Sequence, residues 1–142
     1  MQDLTLRAGD WHGLGKDAAC VREAVFVREL GIEAPLISDE ADLAAVHVVA
    51  YREGDAIAAA RLLPDGAIGR LAVLPHERSA GVGSKILEAL LVCATERGDE
   101  CVRLYAQRDA VPFYLRHRFS TVGEPFYEAG VEHIEMVRQL GK

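Results

Sequence analysis

Apolar positions recur with helical spacing in two long segments of the chain. Within residues 16–30, Ala18, Val21 and Val25 are three and four positions apart, typical of a helix with one buried stripe. A second helix is predicted from residue 82, and Gly98 follows it as a C-terminal cap. The apolar face of this second helix comprises Val82, Ile86, Leu87, Leu90, Leu91 and Ala94.

Shorter apolar segments, separated by turn signals, predict strands. They are LTLR near the N-terminus, VHVVAY, IAAARLL, residues 67–74, CVRLYA, FSTV and VEHIEMVR. REGD and PDG are turn sequences that link three of these strands into an antiparallel meander. Residues 31–42, with glycine, proline and four acids, predict a loop.

A third, short helix is predicted in DAVPFYLRHR, residues 109–118, with Asp109 as its N-cap and Pro112 in its first turn. The order of elements is then strand, helix, three strands, helix, strand, helix, two strands. This order predicts an α/β (α+β) fold: a mixed, largely antiparallel central sheet of about six to seven strands flanked by helices. The length, residues 1–142, fits a single domain.

Charge and composition narrow the functional classes. A net charge of −6 and a pI near 5.3 argue against nucleic-acid binding, which needs a basic face. No apolar run approaches the roughly 18 residues of a membrane span, and the N-terminus lacks a secretory pattern. Three cysteines cannot all pair and form no Cys-x-x-Cys motif. We therefore expect a cytoplasmic protein with no membrane association and no metal site.

Two glycines, Gly81 and Gly83, stand where a predicted strand gives way to a helix. Helix N-termini bind anions, and glycines just before them allow a phosphate to approach the backbone amides. A P-loop would need lysine directly after the second glycine, and a dinucleotide fingerprint would need a third glycine where Ile86 stands. What distinguishes this site is the whole frame: strand, Val73-x-Pro75, two residues, Arg78-x-x-Gly81-x-Gly83, helix.

That frame resembles the pyrophosphate loop of the GNAT superfamily of N-acetyltransferases, and the order of elements is similar over most of the chain. AVPFYLRHRF is similar to the family's Phe-Tyr-x-x-x-Gly-Phe segment, and VFVREL, DEADLAAVH, ARLLPDG and EAGVEHIEM resemble a bacterial subgroup of small acetyltransferases. Two positions depart from the pattern. Ser79 and Arg118 stand where the family often has glycine, and Arg118 is expected to strain or reshape a left-handed cap.

The resemblance implies transfer of an acetyl group from acetyl-CoA to a primary amine of a small molecule or peptide, by direct attack on the thioester. It implies cofactor binding by the loop amides and by the strand before them. The expected cofactor-binding residues are Leu71, Ala72, Val73, Arg78, Ser79, Ala80, Gly81, Val82, Gly83, Ser84 and Phe113. The alternative is a catalytically silent CoA-binding sensor or partner module, and assembly as a homodimer stays open.

Within this resemblance, Tyr114 matches the tyrosine that protonates the departing thiolate. The strand before the loop lacks the glutamate that serves many members as base, so the candidates are His47, His133, Glu29, Glu124 or a chain of waters. The acceptor groove is expected between the first helix and the last strands. Its candidate substrate-binding residues are Glu29, Asp42, Arg61 and Glu124, among acids suited to a cationic amine.

Overall fold

The computed structural model describes residues 4–78, 80–128 and 130–141, and its strands and α-helices follow the predicted order. The strands are β1 Leu4–Gly9, β2 Val46–Arg52, β3 Asp55–Leu62, β4 Ile68–Val73, β5 Cys101–Gln107, β6 Ser120–Glu128 and β7 Val131–Gln139. The α-helices are α1 Trp11–Arg22, α2 Val82–Arg97 and α3 Val111–Arg116. Among the described residues, no helix is long and apolar enough to cross a bilayer.

The strands form two sheets, where the sequence predicted one. β1-β2-β3-β4 and β5-β7-β6 are each antiparallel, which confirms the mixed, largely antiparallel class. β4 and β5 run parallel and meet only at one end, where Ala67 bridges Arg103 and the Arg103 N–H donates to the Gly66 carbonyl at 3.0 Å. Beyond this bridge the two strands diverge, and the gap between them becomes a cleft.

The first sheet is buried on both faces. Val48, Ala50, Ala58 and Ala60 pack in the core that contains α2, while Val49, Ala59 and Ala72 pack against Leu14, Ala18 and Val21 of α1. This explains why β2 and β3 read as continuous apolar runs, since strand residues alternate between faces and both faces are covered. The predicted stripe of α2 is entirely buried, and Gly98 caps that helix in the left-handed conformation.

The first helix differs from its predicted bounds at both ends. It begins at Trp11, where the Asp10 side chain accepts from the Gly13 N–H at 3.0 Å as an N-cap. Gly15 is required there, because a Cβ at that position would lie 2.6 Å from the Trp11 ring. After Arg22 the chain continues as a π-helical segment, Glu23–Glu29, and the N–H of Leu30 donates to the Val25 carbonyl.

The third helix ends in a Schellman motif built on Arg118. The N–H of Phe119 donates to the Tyr114 carbonyl and that of Arg118 to the Leu115 carbonyl, both at 3.1 Å. Arg118 has φ 70°, so it adopts the left-handed geometry usually given to glycine. The predicted N-cap, Asp109, is wrong: it lies within a 3₁₀ turn, Arg108–Ala110, and the cap position is Ala110 with no side-chain bond.

Candidate active site

A cleft of about 620 Å³ opens between the diverging strands β4 and β5. One wall consists of β4 together with the π-helical segment and the residues that follow it. The other wall consists of β5, α3 and β7. The lining residues are Val25, Phe26, Glu29, Leu30, Ile32, Ile37, Ile68, Gly69, Arg70, Leu71, Ala72, Val73, Arg78, Leu104, Tyr105, Ala106, Gln107, Ala110, Phe113, Tyr114 and His133. Leu71, Ala72, Val73, Arg78 and Phe113, five of the expected cofactor residues, are therefore brought together.

The glycine pair lies where β4 leads into α2. Gly81 is the N-cap residue and has φ 82°, a left-handed conformation that favours glycine. Gly83 lies in the first turn, and a Cβ there would lie 3.6 Å from Phe113 and 3.9 Å from Val73, both in the cleft wall. Because the first N–H groups of a helix have no intrahelical acceptor, this turn presents donors suited to an anion. Ser79, another expected contact, lies outside the described residues.

The open edge of β4 supplies further donors and acceptors. The N–H of Leu74 donates to Ile57 on β3, so the backbone groups of Val73 point the other way, toward the cleft. The backbone groups of Leu71, two residues earlier in the strand, point to the same side. A bulge at Arg70 and Leu71 opposite Ala60 distorts the strand here, and Arg70 has φ 54°. An extended ligand in the cleft is thus offered a strand edge to pair with.

Arg78 is held across the cleft instead of extending into solvent. Its Nη1 and Nη2 donate to the two carboxylate oxygens of Glu29 at 2.7 Å each, and its Nε donates to the Val73 carbonyl at 2.9 Å. The hydrogen bonds from Arg78 lower the pKa of Glu29, outweighing the effect of partial burial. Glu29 is therefore an ionised, neutralised carboxylate, which makes it a weak base.

Tyr114 is almost fully buried and lines the cleft. Its ring packs edge-on against Phe113 and Phe119, with centroid distances of 5.1 and 5.7 Å. The carbonyl of Tyr114 accepts the Phe119 N–H in the Schellman motif that ends α3. Burial raises the pKa of the Tyr114 phenol to about 12, so the hydroxyl keeps its proton throughout the neutral and mildly alkaline range.

His133 also lines the cleft, from β7. Its Nδ1 lies 2.9 Å from the Val131 carbonyl. A carbonyl only accepts, so Nδ1 carries the proton and Nε2 is the ring nitrogen with a lone pair. The ring stacks on Phe126 at 5.7 Å and 20°. In the neutral tautomer that this contact selects, Nε2 is the nitrogen that can accept a proton.

Three other candidates lie outside the cleft, in a buried ion-pair network. Asp42 accepts two hydrogen bonds of 2.9 Å from Arg22 and one of 3.0 Å from Arg61. Burial alone would raise the pKa of Asp42, but these hydrogen bonds outweigh it and lower the pKa to about 2. His47 is fully buried and donates from Nε2 to the Asp42 carbonyl at 2.9 Å, and desolvation lowers the pKa of the imidazole.

These contacts correct the expectation that Asp42, Arg61 and His47 line the acceptor groove. No local pattern reveals these contacts, because Arg22 lies twenty positions before Asp42 in the chain and reaches it only in the folded protein. Glu124 lies on the exposed strand β6 and is not among the cleft-lining residues either. Of the four base candidates, the structure brings His133 and Glu29 to the cleft.

Several cleft residues were not predicted from the sequence. They are the apolar side chains of the π-helical segment and its continuation, and Tyr105 on β5. The i→i+5 hydrogen bond from Leu30 to Val25 sets these two residues one above the other, although an α-helical pattern separates them. In the sequence, Tyr105 alternates in phase with the polar residues Arg103 and Gln107 of β5, and an aromatic residue in that phase was the available signal. In the structure Tyr105 is 58% exposed. An exposed aromatic at the mouth of a cleft is a candidate binding residue.

Comparison with known proteins agrees with this geometry. The family model described as the acetyltransferase (GNAT) domain matches residues 32–140. The uncharacterised N-acetyltransferase YjcF of Bacillus subtilis (strain 168) is 39% identical over 127 residues, covering 87% of this chain and 91% of YjcF. Escherichia coli ElaA superposes with a TM-score of 0.84 at 27% identity, covering 96% of this chain and 100% of ElaA. An acyl-CoA N-acyltransferase from Pseudomonas aeruginosa superposes with a TM-score of 0.82 at 27% identity, covering 96% and 99%.

The diverging strands, the glycine-rich helix N-terminus and the domain match over residues 32–140 lead to one conclusion. The chain belongs to the GNAT superfamily of acetyltransferases, which carry out acyl transfer from an acyl-CoA.

Proposed function

We propose that this protein transfers an acetyl group from acetyl-CoA to a primary amine by direct attack of the amine on the thioester. The observation that carries the proposal is the continuity of the cleft. It runs from Val73, Arg78 and Phe113 past the open edge of β4 to Tyr114 and His133, and the Phe113 and Val73 side chains lie next to Gly83 in the first turn of α2. The pyrophosphate would lie on the amides of residues 80–84 and the pantetheine along Leu71 and Val73. The acyl group would then reach the level of the tyrosine.

In this proposal each step uses a group already described. An amine with a pKa near 10.4 is mostly protonated at neutral pH, so Nε2 of His133 removes its proton, directly or through water. The amine nitrogen attacks the thioester carbon, and the backbone N–H of Val73 stabilises the oxyanion. The C–S bond breaks and the thiolate takes the phenolic proton of Tyr114. The attacking nitrogen, still positively charged in the tetrahedral intermediate, loses its surplus proton through solvent to the phenolate, and His133 returns its proton to solvent.

A reducing compartment suits this chemistry. Cys20, Cys93 and Cys101 are all unpaired thiols, which supports a cytoplasmic location.

The decisive experiment follows free thiol release from acetyl-CoA in the presence of a panel of polyamines, amino sugars, amino acids, peptides and arylalkylamines. Tyr114→Phe keeps the ring packing and removes only the hydroxyl. General acid catalysis contributes about 10²-fold or more, so turnover should fall by that factor while acetyl-CoA affinity stays within about threefold. If no amine releases thiol from a protein that binds CoA tightly, the catalytically silent sensor replaces the enzyme.

A further inference from the structure

The mouth of the cleft is apolar on both sides. On one side, Phe26, Leu30 and Ile32 line it from the π-helical segment and its continuation, and Leu30 and Ile32 are 56% and 38% exposed. On the other side lies Tyr105, 58% exposed, on β5. Exposed apolar side chains on two facing walls are costly in water unless they bind something. On the β5 side, the neighbouring strand β7 carries His133.

The β5 side extends into a continuous aromatic surface. The Tyr105 ring meets Phe126 edge-on at 5.7 Å, and Phe126 stacks on the His133 ring at 5.7 Å. Strand register explains the cluster, because Phe126 pairs with His133 across β6 and β7. The aromatic or aliphatic group of a ligand that packs on this surface would therefore lie beside the His133 imidazole, which is proposed to accept the proton of the amine.

The charges at the cleft are unfavourable to a polycation. Among the described residues that line it, Glu29 is the one carboxylate, and it is held by Arg78. Nearby Asp39 accepts from Arg61 at 2.7 Å and from Arg70 at 3.2 Å, so its charge is also neutralised. The described lining contains two guanidinium groups, Arg70 and Arg78, and one carboxylate, Glu29. Within the lining that the structure describes, a second ammonium group would meet no carboxylate other than Glu29.

From these walls and charges, and resting on the proposed function, we infer that the acceptor is a monoamine with an apolar, aromatic-sized body. Phe126 and Tyr105 are its specificity-determining residues, and Leu30 contacts it from the facing wall. The amine would project from the apolar body toward His133 and the thioester. This excludes linear polyamines as good acceptors.

The test compares 2-phenylethylamine with 1,4-diaminobutane and spermidine at equal acetyl-CoA. Apolar contacts discriminate substrates by about tenfold or more, so kcat/KM should favour 2-phenylethylamine by at least that factor. Phe126→Ser should lower kcat/KM for 2-phenylethylamine by about tenfold, through KM, with acetyl-CoA affinity unchanged. Leu30→Ser should act in the same direction.

Tyr127→Ser is the matched control. Tyr127 is the next residue of the same strand, 71% exposed, and successive strand side chains point to opposite faces. Its removal should leave the KM for 2-phenylethylamine unchanged. A preference for the polyamines, or equal effects of Phe126→Ser and Tyr127→Ser, would overturn the inference while the acetyltransferase assignment stands. Absence of thiol release with every amine would overturn both.

Discussion

The guanidinium of Arg78 and the carboxylate of Glu29 face each other across the cleft and share two hydrogen bonds of 2.7 Å. Arg78 precedes the glycine pair, where the family resemblance placed it against the cofactor phosphates. In this structure the carboxylate of Glu29 neutralises it, and the Val73 carbonyl holds its Nε. In the proposed CoA complex, phosphate and carboxylate would therefore compete for the same cation.

This competition predicts that Glu29→Gln strengthens CoA binding. The variant keeps a hydrogen-bonding side chain but leaves the positive charge of Arg78 uncompensated beside the phosphates. Because exposed ion pairs are weak and screened by salt, we expect a gain of about two- to fivefold at low ionic strength that shrinks in high salt. Calorimetric titration at two salt concentrations measures it. Glu124→Gln, the same change on exposed β6, should leave the affinity unchanged, and a loss of affinity in Glu29→Gln would contradict the competition.

The two glycines of the loop should respond differently to substitution. Gly81 has φ 82°, so Gly81→Val strains the backbone by about 1–2 kcal/mol. A loss of CoA affinity in that variant would therefore mix an effect on folding with an effect on binding. Gly83 is helical, and a Cβ there makes only ordinary contacts with Phe113 and Val73. Gly83→Ala should therefore keep CoA affinity within about threefold. The branches of valine enter the gap between those side chains, so Gly83→Val should weaken binding by about tenfold or more in calorimetry. If Gly83→Ala and Gly83→Val bind CoA with equal affinity, CoA does not occupy this gap.

The pKa of Tyr114 predicts the alkaline side of the rate profile. Burial raises it from the ordinary 10.0 to about 12, so the phenol stays a proton donor above pH 10. We expect kcat to show no decrease assignable to this group up to about pH 10.5, measured by thiol release with saturating substrates. A decrease with a midpoint near 10 in the wild type that is absent from Tyr114→Phe would show an unshifted tyrosine.

Arg118 predicts a stabilising substitution. A left-handed residue with a side chain costs about 1–2 kcal/mol, and glycine avoids that cost while losing about 0.5–1 kcal/mol of chain entropy. Arg118→Gly should therefore raise the free energy of unfolding by up to about 1 kcal/mol, measured by urea denaturation. Arg116→Gly, two residues earlier and within α3, should instead lower the free energy of unfolding. A loss of stability in Arg118→Gly would mean that the Arg118 side chain contributes more than its backbone costs.

The buried network around Asp42 predicts how stability depends on acid. The folded pKa of Asp42, about 2, lies below its ordinary 3.8, so the stability it contributes is present above about pH 4 and is lost as the pH falls toward 2. The folded pKa of His47 also lies below its ordinary 6.5. The unfolded chain takes up that proton first, so stability starts to fall below about pH 6.5.

Urea denaturation between about pH 7.5 and 3 should show both decreases. His47→Gln should remove the upper one and leave the lower one. Asp42→Asn leaves Arg22 without its carboxylate partner in the interior and Arg61 with Asp39 alone, and it should cost about 3–5 kcal/mol at neutral pH. An identical pH profile in wild type and His47→Gln would show that His47 is not the titrating group.

The sequence by itself determined the elements whose evidence is local. The stripe from Val82 to Ala94 predicted α2 and its buried face, because helical periodicity is a property of near neighbours. The glycine pair predicted the anion-binding turn for the same reason, since Gly81 must adopt a left-handed conformation before the helix. Helical periodicity and the backbone freedom of glycine are local properties, so neither prediction depends on contacts between distant residues.

Tertiary structure decided everything that depends on which distant side chains meet. Arg22 reaches Asp42 only after α1 packs on the first sheet, and that contact converts an expected acceptor residue into part of a buried ion-pair network. The division into two sheets depends on the divergence of β4 and β5. The apolar pattern of each strand would be the same whether the two strands paired or diverged. The aromatic surface of Tyr105, Phe126 and His133 arises from the register of three strands. Tyr105 is more than twenty positions from both Phe126 and His133 in the chain, so only the folded sheet brings it to them.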